Sequence, residues 1–390
     1  MKKLLLTLLA ATGLWAEAAT MLPSTFQMLE SVQDMMGEQR YDEAAARLDE
    51  AAKTLKKRPY DLAFVLHTRA YISLASERYG EAGAFFEQAL ALKALPEKTA
   101  LATLISVAQI RLMLSDPDGA IGFLKQWERQ AKDPAPQGFL LLASAYLEKE
   151  AYAQAYAPLK KAIALSEAPP LSWLRTLGGV CLELKKYDEA IGVYKTVVAD
   201  KGASRADWMG LFYAFVTTRQ EPEALDTLSA ALADGVIESE NDLLTLSRMQ
   251  LSHGVPMRAA RLIERAFEQG RIEKKVESYE LYAYALRFAR EHKRAIEAMR
   301  SGAALPGGDR LWAPLAQAAY EQNDYPQAVK AAQEALKYEP KNPGQLWLLM
   351  GSAAYELDDL ALARSAFGEA AKEEKSRTQA ERWLTHLKAL

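Results

Sequence analysis

The residues that most often carry chemistry are few in this sequence and lie far apart. Its four histidines are His67, His253, His292 and His386. None of them stands at a spacing that would hold a metal ion with nearby thiols or carboxylates. Cys181 is the single cysteine and falls on an apolar helical face, which favours a small buried hydrophobe over a reactive thiol. Without a glycine-rich phosphate loop or a G-x-S-x-G motif, we expect no catalytic, cofactor-binding or metal site.

A cluster of aromatic, arginine and glutamine residues indicates a protein interface instead. The cluster consists of Tyr284, Arg287, Arg310, Gln317 and Tyr320. Aromatic and Arg side chains are frequent anchors of protein interfaces, so we predict that these five residues bind a partner. Further candidates are His67, Tyr71, Gln109, Arg175, Tyr213, Arg248 and Tyr355. The alternative is that several of the tyrosines only fill space between helices, and the sequence leaves both interpretations open.

The elements that position these residues are helices that recur along the chain. Stretches such as 39–44, 77–82, 185–190 and 323–328 each begin a helix with apolar residues at every third or fourth position. Each stretch ends in an alanine, which we take as the index residue of its unit. The index alanines are Ala44, Ala82, Ala120, Ala155, Ala190, Ala224, Ala259, Ala295, Ala328 and Ala363. Their period near 34 residues, with two helices per unit, is the signature of tetratricopeptide repeats.

Other positions of the unit agree with this interpretation. A larger apolar residue lies four positions after most index alanines, as Phe86 and Phe367 do, and a small residue lies twelve before many of them, as Ala70 and Gly351 do. Small residues let two helices approach closely, and larger ones fill the space between pairs. The ten predicted units are 25–58, 63–96, 101–134, 136–169, 171–204, 205–238, 240–273, 276–309, 309–342 and 344–377.

The predicted fold is therefore all-α, a right-handed superhelical solenoid of about ten tetratricopeptide-type helix pairs. The solenoid takes up residues 19–375, and residues 376–390 form one more amphipathic helix with Trp383 on its apolar stripe. Because the last face of a solenoid is otherwise exposed, this helix is interpreted as a cap. A docking helix for a partner is the alternative.

The first residues have the pattern of a secretory signal peptide. Lys2 and Lys3 precede an apolar stretch over residues 4–15, and Ala16 and Ala18 occupy the two recognition positions before a cut. We expect residues 1–18 to be removed and the protein to be exported to the periplasm; an uncleaved anchor is the alternative. The net charge of -3 and the pI near 6.0 disfavour nucleic acid as the main partner.

Four stretches resemble a more specific family, the periplasmic tetratricopeptide protein that accompanies TonB systems. The stretches are 124–127, 172–174, 254–264 and 375–384. The likeness covers about residues 30–388. It implies a periplasmic accessory of the TonB, ExbB and ExbD machinery and brings no residue-level functional sites with it.

The leading hypothesis is accordingly a non-catalytic periplasmic scaffold that binds TonB, ExbB or ExbD. The rival binding hypothesis is a general cell-envelope adaptor for cell-wall or outer-membrane assembly or secretion. A glycan-binding or enzymatic role is the rival from another class. No cofactor is expected under the leading hypothesis.

Overall fold

A computed structural model of the protein describes residues 21–389, where helices alternate with short turns and no β-strand occurs. The twenty-one α-helices pack as consecutive antiparallel pairs, with one helix left over at the end. The predicted all-α helix-pair fold is confirmed. The chain divides into two compact units between Lys201 and Gly202, within the stretch predicted as one solenoid. The predicted signal peptide lies outside the described residues.

The first unit holds the first five helix pairs. We call the first helix of each pair helix A and the second helix B. The helices of unit 1 are α1 (Pro23–Gly37), α2 (Tyr41–Thr54), α3 (Pro59–Ala75), α4 (Tyr79–Ala91), α5 (Glu97–Met113), α6 (Pro117–Gln130), α7 (Pro136–Glu148), α8 (Tyr152–Ala164), α9 (Leu171–Glu183) and α10 (Tyr187–Val198).

The second unit holds the other five pairs and the last helix. Its helices are α11 (Arg205–Thr217), α12 (Glu221–Ala233), α13 (Glu240–Ser252), α14 (Pro256–Glu268), α15 (Val276–Phe288), α16 (His292–Ala303), α17 (Trp312–Glu321), α18 (Tyr325–Leu336), α19 (Pro343–Glu356), α20 (Leu360–Ala370) and α21 (Arg377–Ala389). A short 3-10 helix, Gly308–Leu311, leads into α17.

The turn from helix A to helix B is built in the same way in all ten repeats. The residue five positions before each index alanine is left-handed, with φ between 55° and 72°. The next residue donates its N–H to the carbonyl five residues earlier, as Val255 does to Gln250 at 2.9 Å, which closes helix A with a Schellman-type bond. Gly254 is the one glycine among these ten residues. The turn geometry therefore repeats at the spacing of the index alanines.

Close packing within each pair requires small residues at particular positions. A Cβ added to Gly178 would lie 2.8 Å from the ring of Tyr194, and one added to Gly351 would lie 2.7 Å from Phe367. The index alanines are themselves buried. The neighbouring Gly179 is not such a position, since an added Cβ there would meet no described heavy atom within 4 Å.

The single cysteine lies in the core of unit 1. Cys181 is fully buried in α9, as predicted, and burial raises the pKa of its thiol to about 11.

On α21, Trp383 stacks on the fully buried Phe367 of α20, with ring centroids 5.1 Å apart. The side of α21 turned away from α20 is polar and exposed. A polar outer face of this kind is what the end of a repeat array needs in water.

Among residues 21–389, no helix is both long and apolar enough to span a bilayer.

Candidate partner-binding face

One repeat position runs along the exposed side of the A helices. It lies eleven residues before the index alanine and is next to the small position that packs against helix B. In unit 2 the first four residues at this position are Tyr213, Arg248, Tyr284 and Gln317. All four are exposed. We call the exposed side of the A helices that carries this position the helix-A face.

Helix α15 presents the most apolar part of this face in unit 2. The side chains of Tyr284 and Phe288 are 49% and 61% exposed, and their ring centroids are 4.5 Å apart. Arg287 lies one turn after Tyr284, is exposed and makes no ion pair with any residue from 21 to 389. An exposed aromatic pair beside an uncommitted guanidinium has the composition of an interface hot spot.

Arg310 has a structural partner in its own unit. Its Nη2 atom lies 2.9 Å from Glu277 Oε1 and 3.1 Å from Glu280 Oε2. Both glutamates belong to α15, so Arg310 ties this helix to the 3-10 helix before α17. A partner that used Arg310 would have to share it with these carboxylates.

The last two predicted residues differ in exposure. Gln317 is exposed, and its amide nitrogen donates to Glu321 Oε1 at 2.9 Å. Tyr320 is half-buried, packs on the hydrophobic core of the last repeats and has its ring centroid 5.7 Å from that of Tyr325. The structure therefore brings Tyr284 and Arg287 onto one exposed helix surface, while Tyr320 also serves the core. A binding role for each of the five stays a prediction.

Some of the other candidates fill space between helices. In unit 1, His67, Tyr71 and Phe86 form a cluster of edge-on rings with centroids 5.0–5.4 Å apart. Burial lowers the pKa of His67 to about 4, so its imidazole is neutral at pH 7. In unit 2, Tyr355 packs against Trp383, with ring centroids 5.2 Å apart.

Phe288 and Val216 also belong to the exposed face, although neither was predicted from the sequence. Val216 is 44% exposed on α11, beside Tyr213 at 52%. The signal was present, because residues three or four positions apart lie on the same side of a helix. Applied to Tyr213 and Tyr284, this rule points to both missed residues.

Ion pairs connect the N-terminal ends of neighbouring A helices in unit 2. Arg205 at the start of α11 holds the buried carboxylate of Asp242 in α13 through two hydrogen bonds of 2.6 and 2.8 Å. The Arg205 guanidinium lowers the pKa of Asp242. Lys275, which precedes α15, pairs with Glu240 in α13 at 2.6 Å. These contacts hold neighbouring A helices side by side and leave their C-terminal halves open.

No group of His, Cys, Asp and Glu side chains among the described residues is arranged to hold a metal ion.

A match to a protein-family model supports the repeat interpretation near the end of the chain. The tetratricopeptide repeat family model matches residues 314–378. A tetratricopeptide repeat protein from Parabacteroides merdae ATCC 43184 is 14% identical, with 67% of this chain and 99% of that chain covered and a TM-score of 0.39. YrrB, described as having an unusual peptide-binding site, is 16% identical, with 47% and 90% covered and a TM-score of 0.40.

The structure of Naa15/Naa10 bound to HypK-THB covers more of the chain. It is 14% identical, with 92% of this chain and 66% of that chain covered and a TM-score of 0.44. No curated protein sequence matches this chain. The family model shows tetratricopeptide repeats at residues 314–378, and the helix pairs of the described residues have the same two-helix construction. A fold of this kind suggests a protein-interaction scaffold.

Proposed function

We propose that this protein is a non-catalytic periplasmic scaffold that binds a protein component of a TonB-type energy-transduction system. The observation that carries the scaffold function is the exposed helix-A face of unit 2. There Tyr284 and Phe288 leave about half of their surface in water, beside the uncommitted guanidinium of Arg287. Leaving two adjacent aromatic rings in water is costly unless a partner covers them.

The TonB assignment is supported by the sequence resemblance. One of the resembling stretches, 254–264, begins with the glycine of the seventh A-to-B turn, whereas the other nine turns use non-glycine residues at that position. Another, 375–384, contains the start of α21 and the tryptophan that stacks on Phe367. These stretches are therefore features of this chain beyond the general repeat pattern.

Periplasmic location is the second part of the proposal. It is supported by the signal-like residues 1–18, with their basic start, apolar middle and small residues before the expected cut. Fractionation of cells that express the tagged full chain tests it. Processed protein in the periplasmic fraction is expected, and a full-length cytoplasmic protein would contradict it.

Affinity capture tests the partner. The full chain, tagged at its C-terminus, is isolated from iron-limited cells after mild crosslinking, and captured proteins are identified by mass spectrometry. We expect TonB, ExbB or ExbD with the wild type and less of the same protein with Arg287→Glu. Arg47→Glu is the matched control, since Arg47 is an exposed residue of α2 in unit 1.

Two results would contradict parts of this proposal. If no TonB-system protein is captured, the assignment to that system is wrong. If these proteins are captured equally by the wild type and Arg287→Glu, the system is right and the helix-A face is the wrong surface.

A further inference from the structure

We propose that the helix-A face of repeats 6–8 binds an extended peptide with a central carboxylate and apolar side chains about three residues away on each side. The inference rests on the proposed scaffold function, and it names the chemistry of the segment that the scaffold holds. Three equivalent residues of consecutive repeats carry it: Tyr213, Arg248 and Tyr284.

The spacing follows from the helices that carry these residues. Ion pairs hold α11, α13 and α15 side by side, as described above. Packed helix axes lie roughly 10 Å apart, so equivalent side chains on neighbouring A helices are separated by a similar distance. An extended chain advances about 3.3 Å per residue, so about every third peptide side chain meets the next repeat.

Apolar side chains flank the central arginine on both sides. On α11, Tyr213 is followed one turn later by Val216, and on α15, Tyr284 is followed by Phe288. These four side chains are between 44% and 61% exposed. Each pair offers an apolar surface for one peptide side chain.

Two exposed arginines select a carboxylate for the middle of the peptide. Arg248 and Arg287 are exposed, and neither forms an ion pair with any residue from 21 to 389. Repeats 6–8 as a whole, residues 205–309, contain fourteen Lys and Arg against sixteen Asp and Glu, so the selection rests on these two exposed guanidinium groups and not on net charge. The order apolar, acidic, apolar is the same from either end of the peptide. The proposed site therefore does not require one direction of the bound peptide.

Acidic residues limit the site at the following repeats. Glu321 on α17 and Glu356 on α19 are exposed at the position seven before their index alanines, where α15 has Phe288. A polyanion with a charge on every unit would meet these carboxylates, so single-stranded nucleic acid does not suit this face. A peptide with one carboxylate between apolar residues does suit this face.

A labelled synthetic peptide tests the proposal with the purified chain. The probe is a fluorescein-labelled peptide of about nine residues, with glutamate in the centre, leucine about three residues away on each side and serine or glycine elsewhere. Binding is followed by fluorescence anisotropy at low salt. A peptide with lysine in place of the glutamate, one with both leucines replaced by serine and a labelled oligothymidylate serve as comparison ligands.

The expected result is saturable binding of the first peptide and at least roughly tenfold weaker binding of the comparison ligands. Arg248→Glu and Tyr284→Ala each reduce the affinity about tenfold or more. Gln33→Ala, at the equivalent exposed position of α1 in unit 1, leaves it unchanged. Circular dichroism confirms that the variants fold.

Several results would overturn the inference. They are no binding of the acidic peptide at about millimolar concentration, equal binding of the lysine peptide, preference for the oligonucleotide, or unchanged affinity in folded Arg248→Glu. None of these depends on the TonB system. Peptide binding without capture of TonB components would leave the inference intact and contradict the assignment, and capture without peptide binding would do the reverse.

Discussion

The two units have the same internal construction and different exposed faces. At the position eleven before the index alanine, the A helices of unit 1 carry Gln33, Tyr71, Gln109, Ser144 and Gly179, and those of unit 2 carry Tyr213, Arg248, Tyr284, Gln317 and Ser352. The tyrosine of unit 1 packs within an aromatic cluster, whereas Tyr213 and Tyr284 are about half exposed.

This difference separates what a repeat needs for folding from what it needs for binding. Buried positions are constrained in both units by the contact between helix A and helix B. The exposed position is free of that constraint, so its residues can differ from repeat to repeat. Large apolar and cationic side chains in repeats 6–8 are the reason for placing the proposed binding site in unit 2.

The largest effect is expected from removing the equivalent core aromatic of either unit. Phe86 and Phe367 both lie four residues after an index alanine and are fully buried. Each change to alanine should lower the free energy of unfolding by about 3–5 kcal/mol. Urea denaturation measures the loss, and hydrogen exchange with mass spectrometry locates it. Because repeats contact only their neighbours, protection should fall mainly in the mutated unit. Equal loss in both units would show that they are not separable.

Acid should destabilise unit 1 through His67. Its folded pKa is about 4 and the ordinary value is 6.5, so the unfolded chain takes up a proton first as pH falls. The contribution is complete above pH 6.5 and is lost between about pH 6.5 and pH 4, with a limit of about 3 kcal/mol. We expect wild type to lose about 2 kcal/mol more than His67→Phe between about pH 7.5 and pH 5 in urea denaturation. Parallel pH profiles of the two proteins would contradict this assignment.

Two adjacent glycines should respond to alanine in opposite directions. Gly178→Ala places a Cβ against Tyr194 and should destabilise the protein by about 1–3 kcal/mol. Gly179→Ala meets open space and should stabilise α9 by up to about 1 kcal/mol, because alanine favours helix. Thermal unfolding measures both. A loss of stability in Gly179→Ala would mean that other atoms of the folded protein lie against the added methyl group.

The smallest change in stability is expected at two arginines of unit 2. Arg310→Gln removes exposed ion pairs to Glu277 and Glu280, so the unfolding midpoint should change little. Arg287→Gln should also leave stability unchanged, because this side chain has no ion pair among the described residues. Affinity for the acidic peptide should fall in Arg287→Gln and fall less in Arg310→Gln, because Glu277 and Glu280 already share the Arg310 guanidinium. The reverse order would move the binding surface toward the 3-10 helix.

Much of the fold could be predicted from the sequence because it depends on local spacing. The index alanines and the larger apolar residues such as Phe86 and Phe367 are buried, as the repeat pattern predicts. The left-handed turn residue could not be identified by type, because only Gly254 is a glycine. Its identity is weakly constrained, since the Schellman bond uses backbone atoms alone.

The candidate site could be predicted only in part. The sequence determined which residues lie on the A helices, since helical periodicity assigns a side of the helix to each position. Which of these residues remain available to a partner depends on how the helices pack against one another. Arg310 forms ion pairs with two glutamates of α15, and Tyr320 packs on the core. Tyr284, Phe288 and Arg287 remain exposed. These outcomes depend on distances between helices far apart in sequence, and a repeat pattern carries no information about such distances.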